Sequence, residues 1–343
     1  MFGSQKKTGS RAMRDEVPTV LKYLTIKPTA ICGYSCPYCS GRQVMFRQAK
    51  GRQLDLPEWR RVLREARDLG VATVRISGGE PTLFKGLLEL VAFARENADQ
   101  VLMYSNGRLL DGRLAEQLKV RGLDGVSISL LSLHPQLHNH LRQTSGSHGW
   151  AIDACRAAVA ADLHLSIHVI VCRHNYHEIP GMIRYASVIG ASALELHYPE
   201  NDIEHRYLLM DSSDIRCWRE EVSGACIAML EESRTGNDGN VRVLEGLYSQ
   251  HGSEADHCHG IYWSSKEAAG ACTKPISFAM VYPNGDVLPC NGVEYAHEPV
   301  VGNVRREALR EIWEGTAFLE FRAERTAWCK FCPMMLHSRV VLR

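Results

Sequence analysis

The run Leu21-Lys22-Tyr23-Leu24-Thr25-Ile26-Lys27-Pro28-Thr29-Ala30-Ile31-Cys32-Gly33-Tyr34-Ser35-Cys36-Pro37-Tyr38-Cys39 decides how the rest of the chain is read. Its first part, Leu21–Pro28, has the branched and aromatic residues of a β-strand. Its second part is a loop, punctuated by Gly33 and Pro37, with three cysteines in the spacing Cys32-x3-Cys36-x2-Cys39. Three thiolates can wrap three corners of a cubane iron–sulfur cluster and leave one iron without a protein ligand. An ordinary electron-transfer cluster takes four cysteines. Spacing alone also admits zinc with a remote fourth ligand.

Working outward, five more strand candidates follow at Val71–Ser77, Val101–Ser105, Gly125–Leu131, Leu163–Cys172 and Ala191–Tyr198. Helical candidates lie between them at Pro57–Leu69, Phe84–Asn97, Asp111–Arg121, Trp150–Ala161 and Ile179–Ile189. Such alternation implies βα repeats and a parallel sheet with right-handed crossovers. Six units are too few for a closed eightfold barrel. The expected fold is an α/β, open, partial (β/α)6 TIM-like barrel with its site at the carboxyl ends of the strands. A further helix is expected over Ser213–Glu232, capped from Asp211, Ser212 or Ser213. Near the C-terminal end, Phe278–Tyr282 and Asp286–Leu288 flank Pro283-Asn284-Gly285, a hairpin signature, and Arg305–Glu324 has the pattern of an amphipathic helix. The expected organisation is a flexible leader (1–18), the barrel (19–232), a connecting segment (233–270) and a small C-terminal domain (271–343).

A formal net charge of +1 over 343 residues gives no electrostatic reason to expect nucleic acid or an acidic membrane as partner. No apolar run approaches the length that spans a bilayer. The segment Met1–Pro18 is basic but lacks the apolar stretch of a secretion signal, so a cytoplasmic location is expected. In a reducing compartment, the twelve cysteines are not a disulfide framework. Seven fall in close groups, Cys32/36/39, Cys272/290 and Cys329/332, which suits metal or cluster ligation. Of the rest, Cys155, Cys172, Cys217 and Cys226 are expected to be mostly small buried hydrophobes.

The triplet, with Tyr38 before its last cysteine, resembles the motif of the radical S-adenosylmethionine (SAM) superfamily. Ser77-Gly78-Gly79-Glu80-Pro81, at the end of the second strand, resembles that family's Gly-Gly-Glu segment. Read from the residues, Gly78 and Gly79 let the backbone approach a ligand closely, and Glu80 offers an acceptor for an ammonium group. The resemblance implies SAM and a [4Fe–4S] cluster as cofactors, with the SAM amino group at the Gly-Gly-Glu segment. It further implies that Ser129 and Arg142 contact the SAM ribose or carboxylate. Asn106 would face the active site, and His197 would stand where relatives stack on the adenine. An external one-electron donor such as a flavodoxin or ferredoxin is implied as well.

Four later cysteines, Cys272, Cys290, Cys329 and Cys332, make a closed ligand set that a zinc ribbon would also satisfy. With Asn303-Val304-Arg305 and Leu309–Trp313 they resemble the opening of a SPASM domain, in a shortened "twitch" form. That resemblance implies one auxiliary [4Fe–4S] cluster. The reaction expected first is hydrogen abstraction from a sugar, aminocyclitol or other natural-product substrate, giving epimerisation or dehydrogenation. Cys258, in Asp256-His257-Cys258-His259-Gly260, is the candidate hydrogen donor. The alternative is maturation of a ribosomally made peptide by crosslinking or epimerisation. The 31 residues before Cys32 are read as too short for a leader-peptide recognition domain, which favours a small molecule. A zinc-stabilised binding protein is the non-enzymatic alternative. The run His134–His140, with three histidines, is expected to be a polar loop over the barrel mouth.

Overall fold

Parallel strands covered on both faces read as continuous apolar runs. Here they alternate instead, and the alternation shapes the molecule. In the computed structural model, which describes residues 20–39, 51–199, 206–232, 274–290, 300–328 and 338–341, Val74, Ile76, Val101, Met103, Val126 and Ile128 are at most 2% exposed. They join Trp59, Leu63, Leu90, Ala154 and Met182 of the helices in one core. The intervening strand positions carry Arg75, Tyr104, Ser127, Ser166, His168 and Glu195. One face of the sheet is thus packed by helices and the other is polar.

The strands are β1 (Tyr23–Ile26), β2 (Thr73–Ile76), β3 (Gln100–Ser105), β4 (Gly125–Ser129), β5 (His164–Ile170) and β6 (Ala193–His197). They pair in parallel and in sequential order, as the βα alternation predicts. The helices between them are α1 (Leu56–Asp68), α2 (Leu87–Asn97), α3 (Gly112–Val120), α4 (Pro135–Arg142), α5 (Ser147–Ala160) and α6 (Ile179–Ile189). Helix α1 starts with a capping box between Asp55 and Glu58, with Pro57 in its first turn. The helix expected from Phe84 begins only at Leu87. Pro81–Leu83 before it form a separate 3-10 turn capped by the Glu80 side chain.

The histidine run is not a loop. Pro135 takes a first-turn position, where its missing N–H costs nothing, and His138, Leu141 and Arg142 form a buried face at helical spacing. His138 Nδ1 accepts the Leu131 N–H at 3.2 Å. Burial, with help from Arg142 and His148, lowers the His138 pKa to about 3. The unfolded chain therefore binds more protons than the folded one between about pH 6.5 and 3, so this stabilisation is lost as pH falls through that window. Thermal unfolding followed from pH 7 to pH 5 should show a falling Tm, and His138→Gln should flatten the fall.

After β6 the predicted single helix Ser213–Glu232 is α7 (Ser212–Cys217), a π turn (Trp218–Val222) and α8 (Ser223–Glu232), with Asp211 as N-cap. The C-terminal hairpin forms as expected between β7 (Phe278–Val281) and β8 (Asp286–Leu288), followed by β9 (Gly302–Asn303). The helix expected over Arg305–Glu324 is two, α9 (Leu309–Glu314) and α10 (Thr316–Trp328), because Gly315 between them is extended. Strand β7 pairs in parallel with β1, and β10 (Ser338–Val341) pairs antiparallel with β6. Both edges of the six-stranded unit are therefore taken by strands from the C-terminal region. Helix α1 also anchors that region, since Glu65 accepts the Leu309 N–H at 2.7 Å and Arg305 reaches Glu58 at 3.4 Å. Among the described residues no helix is long and apolar enough to cross a membrane.

Candidate functional site

The cysteine loop is built onto the end of β2. Gly79 N–H donates to the Thr29 carbonyl at 2.9 Å and Glu80 N–H to the Ile31 carbonyl at 2.7 Å, so the pairing of β1 with β2 continues to the residue before Cys32. A Cβ on Gly79 would overlap the Ile31 carbonyl. One on Gly78, whose φ is +126°, would meet the Thr29 oxygen at 2.7 Å. The two glycines therefore admit the cysteine loop itself.

Glu80 is 2% exposed. Its carboxylate accepts from Thr82 N–H (3.2 Å), Thr82 Oγ1 (2.8 Å), Ser105 Oγ (2.8 Å) and Asn106 N–H (2.8 Å). It ties the end of β2 to the end of β3. Three of these donors reach Oε1 and one reaches Oε2. The Asn106 side-chain oxygen accepts the Arg108 N–H at 2.9 Å in an Asx turn.

Cys32 and Cys39 are exposed and Cys36 is buried, and Cys39 N–H closes a turn onto the Cys36 carbonyl at 3.2 Å. Crowding by protein pushes the Cys32 thiol up, the Tyr34 backbone N–H opposes this, and Glu80 and Cys36 add to the rise. Arg142, at the end of α4, lies against this loop. Its Nη1 donates to Tyr38 Oη at 2.9 Å and approaches Cys36 Sγ at 3.6 Å. Its guanidinium stands 5.0 Å over the Tyr34 ring. Burial opposes the charge, but Tyr38 and Cys36 outweigh it and raise the Arg142 pKa. Nε and Nη2 of Arg142 are buried with no hydrogen-bond partner. A guanidinium with two open, buried donors needs an anion beside it.

Among the described residues no three His, Cys, Asp or Glu side chains stand together as a metal-holding group. Donor chemistry and surroundings nonetheless fit a cluster and SAM. The three soft thiols sit on one loop, two of them at the ends of a single turn, and Arg142 offers its open donors next to the buried one.

On the polar face of the sheet is a cavity of about 610 Å³, whose lining includes Tyr23, Arg75, Tyr104, Ser127, Glu195 and His197. Ser127 Oγ donates to Glu195 at 3.4 Å, and His197 Nε2 lies 3.7 Å from the same carboxylate. The His168 ring centroid is 4.1 Å from that of His197 and 6.2 Å from that of Tyr104. Burial first, then His197, holds the His168 pKa well below its usual value, and Arg142 contributes. Ser129 is in register with His168 across β4 and β5. Sequence reasoning singled out Ser129 and His197 on these strands. It passed over Arg75, Tyr104, His168 and Glu195, although polar residues at every second position of parallel strands mark an unfilled lumen.

Cys258, Cys272, Cys329 and Cys332 lie outside the described residues. Cys290 is buried just past β8. Cys155, Cys172 and Cys226 are buried thiols as expected, with burial raising their pKa values to about 12, 11 and 12. Such thiols are unreactive at neutral pH.

Residues 26–186 match the model of the radical SAM superfamily, and residues 272–333 match that of SPASM, an iron–sulfur cluster-binding domain. Over 325 residues the chain is 29% identical to the PqqA peptide cyclase of Xanthomonas campestris pv. campestris (strain 8004), covering 92% of this chain and 80% of that protein. It is 28% identical over 306 residues to the PqqA peptide cyclase of Granulibacter bethesdensis (strain ATCC BAA-1260 / CGDNIH1), covering 88% of this chain and 76% of that one. Among solved structures, Streptococcus suis SuiB bound to S-adenosylmethionine superposes with a TM-score of 0.65 at 18% identity, covering 93% of this chain and 70% of SuiB. At that identity the likeness speaks to the fold alone.

Proposed function

Because the chain belongs to the radical SAM superfamily and carries a C-terminal SPASM domain, we propose that it modifies a peptide, joining two of its residues into a ring or crosslink. The observation that carries this reading is the similarity to PqqA peptide cyclases along 92% of the chain. It supports the peptide substrate that the sequence reading put second. The sugar or aminocyclitol substrate, with epimerisation or dehydrogenation as the outcome, has no such support.

The family's cofactors are SAM and a [4Fe–4S] cluster, and the SPASM domain implies auxiliary iron–sulfur clusters. When bound and reduced, the first cluster and SAM supply a 5′-deoxyadenosyl radical that takes a hydrogen atom from an unactivated C–H bond. Cys32, Cys36 and Cys39 hold that cluster in this reading. Arg142 turns its open Nε and Nη2 to the SAM carboxylate. Glu80 positions the ends of β2 and β3 without touching the ligand. Ser129 and His197, the last residues of β4 and β6, border the cofactor. Cys290 joins Cys272, Cys329 and Cys332 as the auxiliary ligand set.

Two measurements test this. Anaerobically purified protein should hold about eight irons per chain for one cluster of each kind; stoichiometric zinc without iron would end the reading. Incubation with SAM, a reductant and a candidate precursor peptide should give a peptide lighter by two hydrogens. Gain of solvent deuterium at unchanged mass connectivity would mean epimerisation. Turnover of an aminocyclitol with the peptide inert would return the reaction to small molecules.

A further inference from the structure

Four side chains stand in series beside the cysteine loop. The Arg142 guanidinium lies 5.0 Å over the Tyr34 ring. The Tyr34 and Trp150 ring centroids are 6.5 Å apart with their planes 30° from parallel, an attractive arrangement for an aromatic pair. The Arg108 guanidinium lies 4.9 Å over the Trp150 ring. Each member comes from a different segment. Tyr34 is in the cysteine loop, Arg142 ends α4, Trp150 is in the first turn of α5 and Arg108 is in the loop after β3. The series is closely packed: a Cβ on Gly33 would lie 3.1 Å from Arg108 Nη1, and Tyr34 is buried.

The part played by Tyr34 follows from what Arg142 lacks. Among the described residues no carboxylate pairs with this buried cation, and its Nε and Nη2 have no partner. An Asp or Glu beside it would stabilise the charge but would also take the open donors of the planar fork. An aromatic face attracts a cation through the ring quadrupole, most strongly where water is excluded. It leaves those N–H groups open for a carboxylate that a ligand brings. Tyr34 acts through its ring, since its Oη is buried without a hydrogen-bond partner. Burial outweighs the opposing effects of Arg142 and Arg108 and pushes the Tyr34 pKa up to about 12, so the phenol is neutral at pH 7. Tyr38 Oη holds Nη1 at 2.9 Å, and the Tyr34 ring limits how the rest of the guanidinium can turn.

We propose that Tyr34, backed by Trp150, is a positioning residue that holds the Arg142 guanidinium in the orientation that receives the SAM carboxylate. Tyr34 acts through Arg142 and does not touch the ligand. The proposal rests on the reading that Arg142 receives this carboxylate, and it is independent of the substrate.

The probes are SAM and decarboxylated SAM, which keeps the amino group and lacks only the carboxylate. Affinities are measured by equilibrium dialysis on iron-loaded enzyme. Tyr34→Leu should weaken SAM by about tenfold, as loss of a desolvated cation–π contact predicts. Tyr34→Phe should stay within about twofold of wild type, and Trp150→Leu should weaken SAM by about threefold. Decarboxylated SAM should bind all three variants as it binds wild type. In an Arg142→Met background, Tyr34→Leu should have no further effect, because the two residues act as one unit. Iron content and circular dichroism should be unchanged in each variant. An unchanged SAM affinity in Tyr34→Leu overturns the proposal, and so does an equal loss for both ligands. A loss in Tyr34→Phe as large as in Tyr34→Leu overturns it too, by moving the role to the hydroxyl. Should Tyr34→Leu fail to hold iron, Trp150→Leu decides, since it lies outside the cysteine loop: SAM affinity equal to wild type there ends the proposal. If Arg142→Met binds SAM as wild type does, the carboxylate reading of Arg142 falls as well. If Arg142→Met weakens SAM and Tyr34→Leu does not, only the role of Tyr34 falls.

Discussion

Gly79→Ala is expected to lower iron content by about four atoms per chain and to cut SAM cleavage at least about a hundredfold, with the C-terminal cluster retained. The added Cβ would overlap the Ile31 carbonyl and lie 2.8 Å from the Ala30 carbonyl carbon. These are backbone atoms, so no side chain can swing away to absorb the overlap. Either the Glu80 N–H to Ile31 bond of 2.7 Å opens, or the loop from Thr29 to Cys32 moves outward. Overpacking of this kind costs roughly 1–3 kcal/mol or more when neighbours cannot give. The cost falls on the residue next to Cys32. Gly224→Ala, in α8 with nothing near its would-be Cβ, is the matched control and should leave both measurements unchanged. Iron and sulfide analysis with 5′-deoxyadenosine formation reads both variants. A Gly79→Ala protein with full iron and normal cleavage would mean that the β2 contact does not hold the cysteine loop.

The same segment shows what a sequence can and cannot convey. Gly-Gly-Glu at a strand end announces a close approach, but a glycine carries no record of what approaches it. Ligand and neighbouring backbone leave the same mark. Glu80 is similar: in the sequence it is only a carboxylate at a strand end, and its four protein donors come from residues that the fold brings to it. Strand order and helix placement were legible because each βα unit is a local pattern and parallel crossovers admit few topologies. The helix at His134–Arg142 was missed because histidine and asparagine are weak helix formers, and burial of His138, Leu141 and Arg142 overrides their preference. Strand β10 is four residues whose pairing with β6 depends on the whole barrel being in place. Substrate identity is further still from the motifs, since one fold and one cofactor serve many reactions. The polar alternation of the lumen on β2 to β6 was readable in the strands themselves.

Arg142→Met should abolish most SAM cleavage, by about a hundredfold or more, while leaving the protein without SAM as stable as before or more so. The two effects separate because Arg142 is buried beside Tyr38 and Cys36 with no carboxylate partner among the described residues. Burial holds the Tyr38 phenol well above its ordinary pKa, so near neutral pH it supports the guanidinium as a hydrogen-bond acceptor and not as a full negative charge. A buried charge lacking a partner is a burden on the fold, and an apolar residue of similar size removes it. SAM brings the missing carboxylate. At a hundredfold excess over Kd a ligand stabilises its protein by about 2.7 kcal/mol, and a hundredfold loss of affinity leaves about 0.4 kcal/mol. Arg142→Lys keeps the charge but gives up the planar fork, and should fall between the two. Thermal shifts with and without SAM, set beside SAM-cleavage rates, read all three proteins. If Arg142→Met instead loses stability without SAM and keeps the SAM-induced shift, then its hydrogen bonds to the loop are its whole role. In that case the two open donors do not face the cofactor, and the stability of the cysteine loop, rather than ligand binding, explains why a charge is buried there.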